Sequence, residues 1–205
     1  MKFLVIVLAL LVAAPALAQM PDLIISEYVE GSSYNKALEI YNGTDDDVSL
    51  ADYSLEIYAN GSSSPTTISL GSTVLAVQEV FVIANPSASA AILGVADLTS
   101  GSLSFNGDDA LVLVGSGQPV DRFGEVGYDP GAAWSCSSGT TVNTTLRRQI
   151  GVCAGDNATG DPFDPCAEYD FYPNDTFDGL GYHSDDCHSV STPAATWAGV
   201  KAQYR

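Results

Sequence analysis

A succession of short apolar runs, broken repeatedly by glycine and asparagine, limits this chain to a β-rich fold. "LIISEYVE" (23–30) and "KALEIYN" (36–42) are rich in Ile, Leu, Val and Tyr. "YSLEIYAN" (53–60) sets Leu55, Ile57 and Ala59 against Glu56 and Tyr58, the two-residue period of a half-buried strand. "TTISL" (66–70), "VFVIAN" (80–85), "ALVLVG" (110–115), "PVDRFGEVG" (119–127) and "TLRRQ" (145–149) continue the series. Asn42-Gly43, Asn60-Gly61, Asn106-Gly107 and Gly115-Ser116-Gly117 stand between the runs. Asn-Gly supplies the positive φ angles of tight turns. Strands this short and this closely spaced predict a β-sandwich. Short helices are expected in "SASAAILG" (87–94) and, near the C-terminus, after Pro193.

The chain ends are different. Lys2 precedes an apolar run from Phe3 to Val12, and Ala16-Leu17-Ala18 has the form of a cleavage site. Residues 1–18 therefore read as a secretory signal peptide rather than a spanning helix. The rest is expected to be secreted, extracellular or periplasmic, without membrane insertion. From Gly151 to Asp186 the strand pattern dissolves into a stretch rich in carboxylates and proline, with no Lys or Arg. That is long for an unsupported loop. The last residues, "STPAATWAGVKAQYR", place Trp197, Val200 and Tyr204 near helical spacing.

The formal net charge of −18 repels phosphate polymers and anionic lipid. Nucleic acid is a plausible partner only through bridging cations. Cys136, Cys153, Cys166 and Cys187 form no C-x-x-C pair. Export and an even count point to two disulfides stapling the late loop. Three connectivities are open; sequential pairing, which closes the shortest loops, is favoured here.

The order of motifs carries a resemblance. "ISEYVEGSSYNKALEIYNGT" (25–44) resembles the opening signature of the bacterial lamin-tail domain family. The pattern continues through "YSLEIYANG" (53–61), "FVIANPSA" (81–88), "FNGDDALVLV" (105–114) and "DRFGEVGYDPG" (121–131). "TLRR" (145–148), "FDP" (163–165) and "DTFDGLGYHS" (175–184) close it. The resemblance implies an all-β, immunoglobulin-like sandwich over residues 19–188, followed by a tail at 189–205. It implies an extracellular accessory or interaction domain, of the kind that often accompanies secreted nucleases, phosphatases or other hydrolases. No attached catalytic domain is expected in a chain of this length. The cysteines and the closing "TWAGVKAQYR" lie outside the pattern.

Chemistry-bearing residues are sparse. Nucleophilic catalysis needs Ser or Cys beside a base, yet the only histidines are His183 and His188, and no G-x-S-x-G elbow occurs. Their neighbourhood, His183-Ser184-Asp185-Asp186-Cys187-His188, resembles a metal cluster, but Cys187 is expected in a disulfide. Asp108, Asp109 and Asp178 are the candidate ligands for calcium, which takes six to eight oxygens; neither "NGDD" nor "DTFDG" has EF-hand spacing. The alternative is that these carboxylates cap turns. Lys36, between Glu30 and Glu39, is read as an ion-paired corner of a hairpin. Glu30, Lys36 and Arg148 are also the candidate binding residues. Arg147 and Arg148 point to opposite faces of a strand, one expected to pair with Asp129 or a late aspartate and the other to meet a carboxylate or phosphate ligand. Tyr28, Tyr41, Tyr53 and Tyr58 either fill the core or form a stacking stripe. N-x-S/T sequons at Asn42, Asn60, Asn143, Asn157 and Asn174 predict exposed loops if the source glycosylates; in a bacterium they are turn chemistry, the reading favoured here.

The functional expectation is a secreted, non-catalytic binding module without a required cofactor, its partner a protein or a cell-surface glycan. The alternatives are an accessory subunit of an extracellular nuclease or phosphatase, and a calcium-dependent hydrolase.

Overall fold

The computed structural model describes residues 22–187. The expected signal peptide and C-terminal helix lie outside the described residues. In chain order the strands are β1 (Ile24–Glu30), β2 (Lys36–Tyr41), β3 (Val48–Ser49), β4 (Tyr53–Tyr58), β5 (Thr66–Ser69), β6 (Val74–Leu75) and β7 (Val80–Ala84). A one-turn helix α1 (Ala90–Leu93) follows, then β8 (Leu98–Thr99), β9 (Ala110–Gly115), β10 (Gln118–Phe123), β11 (Ser135–Cys136), β12 (Gly139–Thr140) and β13 (Thr144–Arg148). Helix α2 (Pro165–Glu168) and β14 (Tyr169–Tyr172) complete the described chain.

Two sheets make the sandwich. The larger has the order β14-β13-β1-β2-β7-β8 and the smaller β10-β9-β4-β5. Alternation along the strands sends Tyr28, Leu38, Ile40, Ile83 and Leu146 inward from one sheet, and Leu55, Ile57, Ile68, Leu111 and Leu113 from the other. Tyr28 stacks on Phe105 and Phe123, at 4.8 and 4.0 Å between ring centres. Its hydroxyl donates to the Asn106 carbonyl at 3.1 Å. The core therefore takes Tyr28, while Tyr53 and Tyr58 turn their hydroxyls to Asp22 and Glu56.

The other face of the large sheet is also covered, which is why β1 and β2 are buried along their whole length. Val29, Ala37, Val82 and Ala84 pack beneath Ile92 of α1 and beneath Phe177 and Leu180 of the late segment. Asp175 fastens the start of that segment to the β1–β2 loop. Its oxygens accept from Ser32 N at 2.9 Å, Ser32 Oγ at 2.7 Å and Asn35 Nδ2 at 3.0 Å.

Turn chemistry follows the sequence in part. Ser116 and Gly117, both at positive φ, form the two-residue connection of the β9–β10 hairpin, whose register starts with Gly115 opposite Gln118. Asn60 and Gly61 are also left-handed. Asn42 is different: it is fully buried, and its amide donates to the carbonyls of Asp46, Leu75 and Ala76. The expectation of an exposed sequon there is corrected, because this side chain brackets two loops from inside.

The stretch 151–186 is more ordered than its composition suggests. It contains α2, capped by Asp164, and β14, which adds an outer strand beside β13. The disulfides join Cys136 to Cys166 and Cys153 to Cys187. The sequential pairing is thus corrected to an interleaved one. Antiparallel pairing of β13 with β14 is what brings α2 back beside the β11–β12 hairpin and Cys187 back beside Cys153.

Candidate functional site

The interleaved pairing builds a cleft. One wall is the segment from Glu125 through Tyr128, Pro130 and Ala133 to Trp134 and Ser135; the other is Pro162-Phe163. The cleft is open to solvent and has a volume of about 490 Å³. The Cys136–Cys166 bond lies directly behind both walls in sequence and fixes their spacing. Trp134 is held by its backbone: its N–H donates to Thr141 Oγ1 at 3.1 Å, and its carbonyl accepts from Thr141 N at 3.1 Å. The ring stands edge-on to Phe163, with centres 5.6 Å apart. Gly124, at φ 91°, makes room for it, since a Cβ there would lie 2.7 Å from Trp134 Cη2. The buried indole Nε1 has no acceptor among the described residues. Tyr128, 51% exposed, stands at the mouth. The lining is thus aromatic and prolyl, with one carboxylate at the rim, the composition of a recognition pocket.

Arginines fix the same region from below. Arg122 grips the late loop through Asp156, at 2.6 and 2.8 Å, and through the Asp161 carbonyl at 2.6 Å. Its guanidinium lies 5.9 Å from the Phe163 ring centre. Arg148 is buried in a hub, donating to Asp121 at 2.5 Å, Glu168 at 3.0 Å, the Ile25 carbonyl at 2.7 Å and the Tyr169 hydroxyl at 2.7 Å. Burial alone would lower the Arg148 pKa; Asp121, Tyr169 and Glu168 around it together more than reverse this.

A second polar cluster lies under the late segment. Glu27 and Glu39 are both buried on the covered face. A β-bulge after Ile25 re-aims Ser26, whose Oγ donates to Glu39 at 2.7 Å; Gly181 N donates to the other oxygen at 2.7 Å. Burial pushes Glu27 up to about 8 against the opposing pull of Arg147, and burial also raises Glu39. His183 packs edge-on against Tyr41, 4.7 Å between centres, and burial lowers its pKa. Its buried Nε2 has no hydrogen-bond partner among the described residues.

The model of the Lamin Tail Domain family matches residues 17–127, more than half of the chain. The chain belongs to the lamin tail domain family. The match spans β1 to β10 and so contains the whole small sheet and the centre of the large one. Lamin tail domains are immunoglobulin-like, non-catalytic interaction modules, in keeping with the sandwich described above. No curated protein matches the chain, and no solved structure does. The walls of the cleft beyond Gly127, the disulfides and strands β11 to β14 follow the matched part.

Within this lamin tail domain the residues singled out from sequence fall as follows. Lys36 Nζ pairs with Glu30 Oε1 at 2.8 Å and also donates to the Gly31 carbonyl. The other Glu30 oxygen accepts from Asn143 N. Both side chains are nearly enclosed, so they close the β1–β2 corner. Arg147 and Arg148 do face opposite ways, but the expected exposure of the second arginine is corrected: Arg148 is 2% exposed and donates to groups of its own chain. Arg147 takes Glu27 at 3.0 Å and the late aspartate Asp178 at 2.5 Å; Asp129 instead accepts from Gly131 N. Asp108, Asp109 and Asp178 are not gathered around one point. Asp109 caps backbone N–H groups of Asn60 and Asn106, and Asp178 holds Arg147. Among the described residues the one close group of three metal-type side chains is Cys136, Asp164 and Cys166, whose sulfurs are joined to each other.

The cleft was not read from sequence. Its signal was present as three aromatics, Tyr128, Trp134 and Phe163, set beside Pro130 and Pro162 in segments without strand periodicity. Two disulfides belong with an oxidising compartment. Among the described residues no helix is long and apolar enough to cross a membrane.

Proposed function

We propose that this lamin tail domain is a secreted, non-catalytic binding module that holds a partner protein at the Tyr128–Trp134–Phe163 cleft. The observation that carries the reading is the cleft itself: an aromatic- and proline-lined pocket braced by a disulfide, with a buried indole N–H that has no acceptor among the described residues. Pockets of this type take a side-chain anchor from a partner, and aromatic residues supply most of the energy at such points. The acidic chain, at −18, favours a basic partner and disfavours polyanions. The arginines nearby hold the walls in place rather than reach outward.

The test immobilises the chain from Gln19 to Arg205 and its Tyr128→Ala variant, and presents envelope material of the source cell. Retention that is lost after protease treatment and falls at least about tenfold in Tyr128→Ala, the cost of a modest hot spot, supports the reading. Retention sensitive to periodate instead would assign the cleft to glycan. Equal retention by both forms would remove the cleft from the interaction, and metal-dependent phosphodiester hydrolysis by the pure chain would replace binding with catalysis.

A further inference from the structure

A different surface lies where the described chain ends. Cys187 is bonded to Cys153, and Asp186 N donates to the Ile150 carbonyl at 2.9 Å. The main chain therefore leaves the body beside Ile150. A groove of about 260 Å³ opens at that point, lined by Arg147, Ile150, Asp170, Tyr172, Asp178 and Tyr182. It runs along β14, the outermost strand of the large sheet. Ile150 is 53% and Tyr182 73% exposed, an apolar rim facing water. Asp170 is exposed and makes no side-chain hydrogen bond or ion pair among the described residues, and Asp178 offers a carboxylate that is 81% exposed.

The charge distribution names the occupant. All 25 acidic residues fall within residues 22–187. The basic residues there are Lys36, Arg122, Arg147 and Arg148, and every one is in an ion pair. The remaining cations after the expected leader are Lys201 and Arg205, in a stretch from 188 to 205 that has no acidic residue. The same stretch carries Trp197, Val200 and Tyr204.

We propose that residues 189–205 dock back into this groove of their own chain, with Trp197 and Tyr204 against Ile150, Tyr172 and Tyr182, and Lys201 and Arg205 on Asp170 and Asp178. A segment tethered at the rim of its site has an effective concentration in the millimolar range. Modest apolar burial with two charge contacts is then sufficient to keep it seated, and a free partner must outcompete it. This inference goes beyond the binding cleft and does not depend on it.

The chain from Gln19 to Arg205 has two tryptophans, Trp134 and Trp197. Trp134→Phe leaves Trp197 as the sole reporter. Docking predicts blue-shifted emission and slower acrylamide quenching than a free synthetic 189–205 peptide. Adding Ile150→Asp with Asp170→Lys should return both to the peptide values. Zero-length carbodiimide coupling reads the same contact in the unmutated chain, even if Trp134→Phe fails to fold. Lys201 is the reactive lysine, since Lys36 is buried, and it should join Asp170 or Asp178 within one monomer. Peptide-like emission in a singly substituted chain that keeps the cooperative unfolding of the unmutated one overturns the proposal. So do couplings scattered over the acidic surface, or couplings formed only between two chains.

Discussion

Glu27 and Glu39 lie directly opposite each other across the β1–β2 ladder, on the covered face of the large sheet. One Glu27 oxygen meets Arg147, and the other is buried without a partner among the described residues. Arg147 is shared with the exposed Asp178, so its charge does not fully serve Glu27. Burial raises Glu27 from 4.5 to about 8, and Glu39 moves the same way. The folded state therefore holds protons that the unfolded chain has released. The stability from Glu27 is fully present below pH 4.5 and is lost as pH rises through 8. Urea unfolding across that window should show stability falling with pH, at most about 1.4 kcal/mol per unit for one proton. Glu27→Gln should flatten the fall. A level profile in the unmodified chain would contradict the burial of a proton here.

Gly179 is the point where the late segment touches this cluster. A Cβ there would run into Glu27 Oε2 and the Arg147 guanidinium. Gly179→Ala should cost about 1–3 kcal/mol, the usual range for overpacking, read by the same denaturation. A double-mutant cycle with Glu27→Ala should show that the two changes are coupled. Additive costs would mean that the segment sits elsewhere.

Arg148 is fixed by four acceptors, one of them a fully buried carboxylate. Arg148→Met should cost about 3–5 kcal/mol, because it strands Asp121 in an apolar site. Adding Asp121→Asn should recover part of that loss. Near-native stability in Arg148→Met would show that the hub is open to water.

Non-reducing peptide mapping should find Cys136 with Cys166 and Cys153 with Cys187. Replacing Cys136 and Cys166 with serine should lower stability by about 2–4 kcal/mol and shift Trp134 fluorescence, since that bridge sets the cleft walls. Recovery of the sequential pairs would contradict the fold beyond β13.

The strands legible in sequence are those whose apolar runs are intact: β1, β2, β4, β5, β7 and β9 lie within the runs identified there, and β10 and β13 each begin one residue before theirs. β14 was not legible. "YDFY" is short, sits between proline-bearing turns, and gains its strand character only by pairing with β13. The Lys36–Glu30 corner was readable because both residues flank one loop. The cleft was not, because Tyr128 and Phe163 meet through long-range pairing and a disulfide that local sequence does not encode. Arg148 was misplaced for a related reason: alternation tells which face a side chain takes, but its fate depended on Asp121, Glu168 and Tyr169 arriving from distant segments.

The claim that this lamin tail domain works by recognition at the aromatic cleft is tested most directly by comparing Tyr128→Ala with the unmodified chain at equal folded stability. Tyr128 is half exposed, so its truncation should leave the melting temperature unchanged while retention on protease-sensitive envelope material falls about tenfold or more. Unchanged retention with unchanged melting would contradict the account.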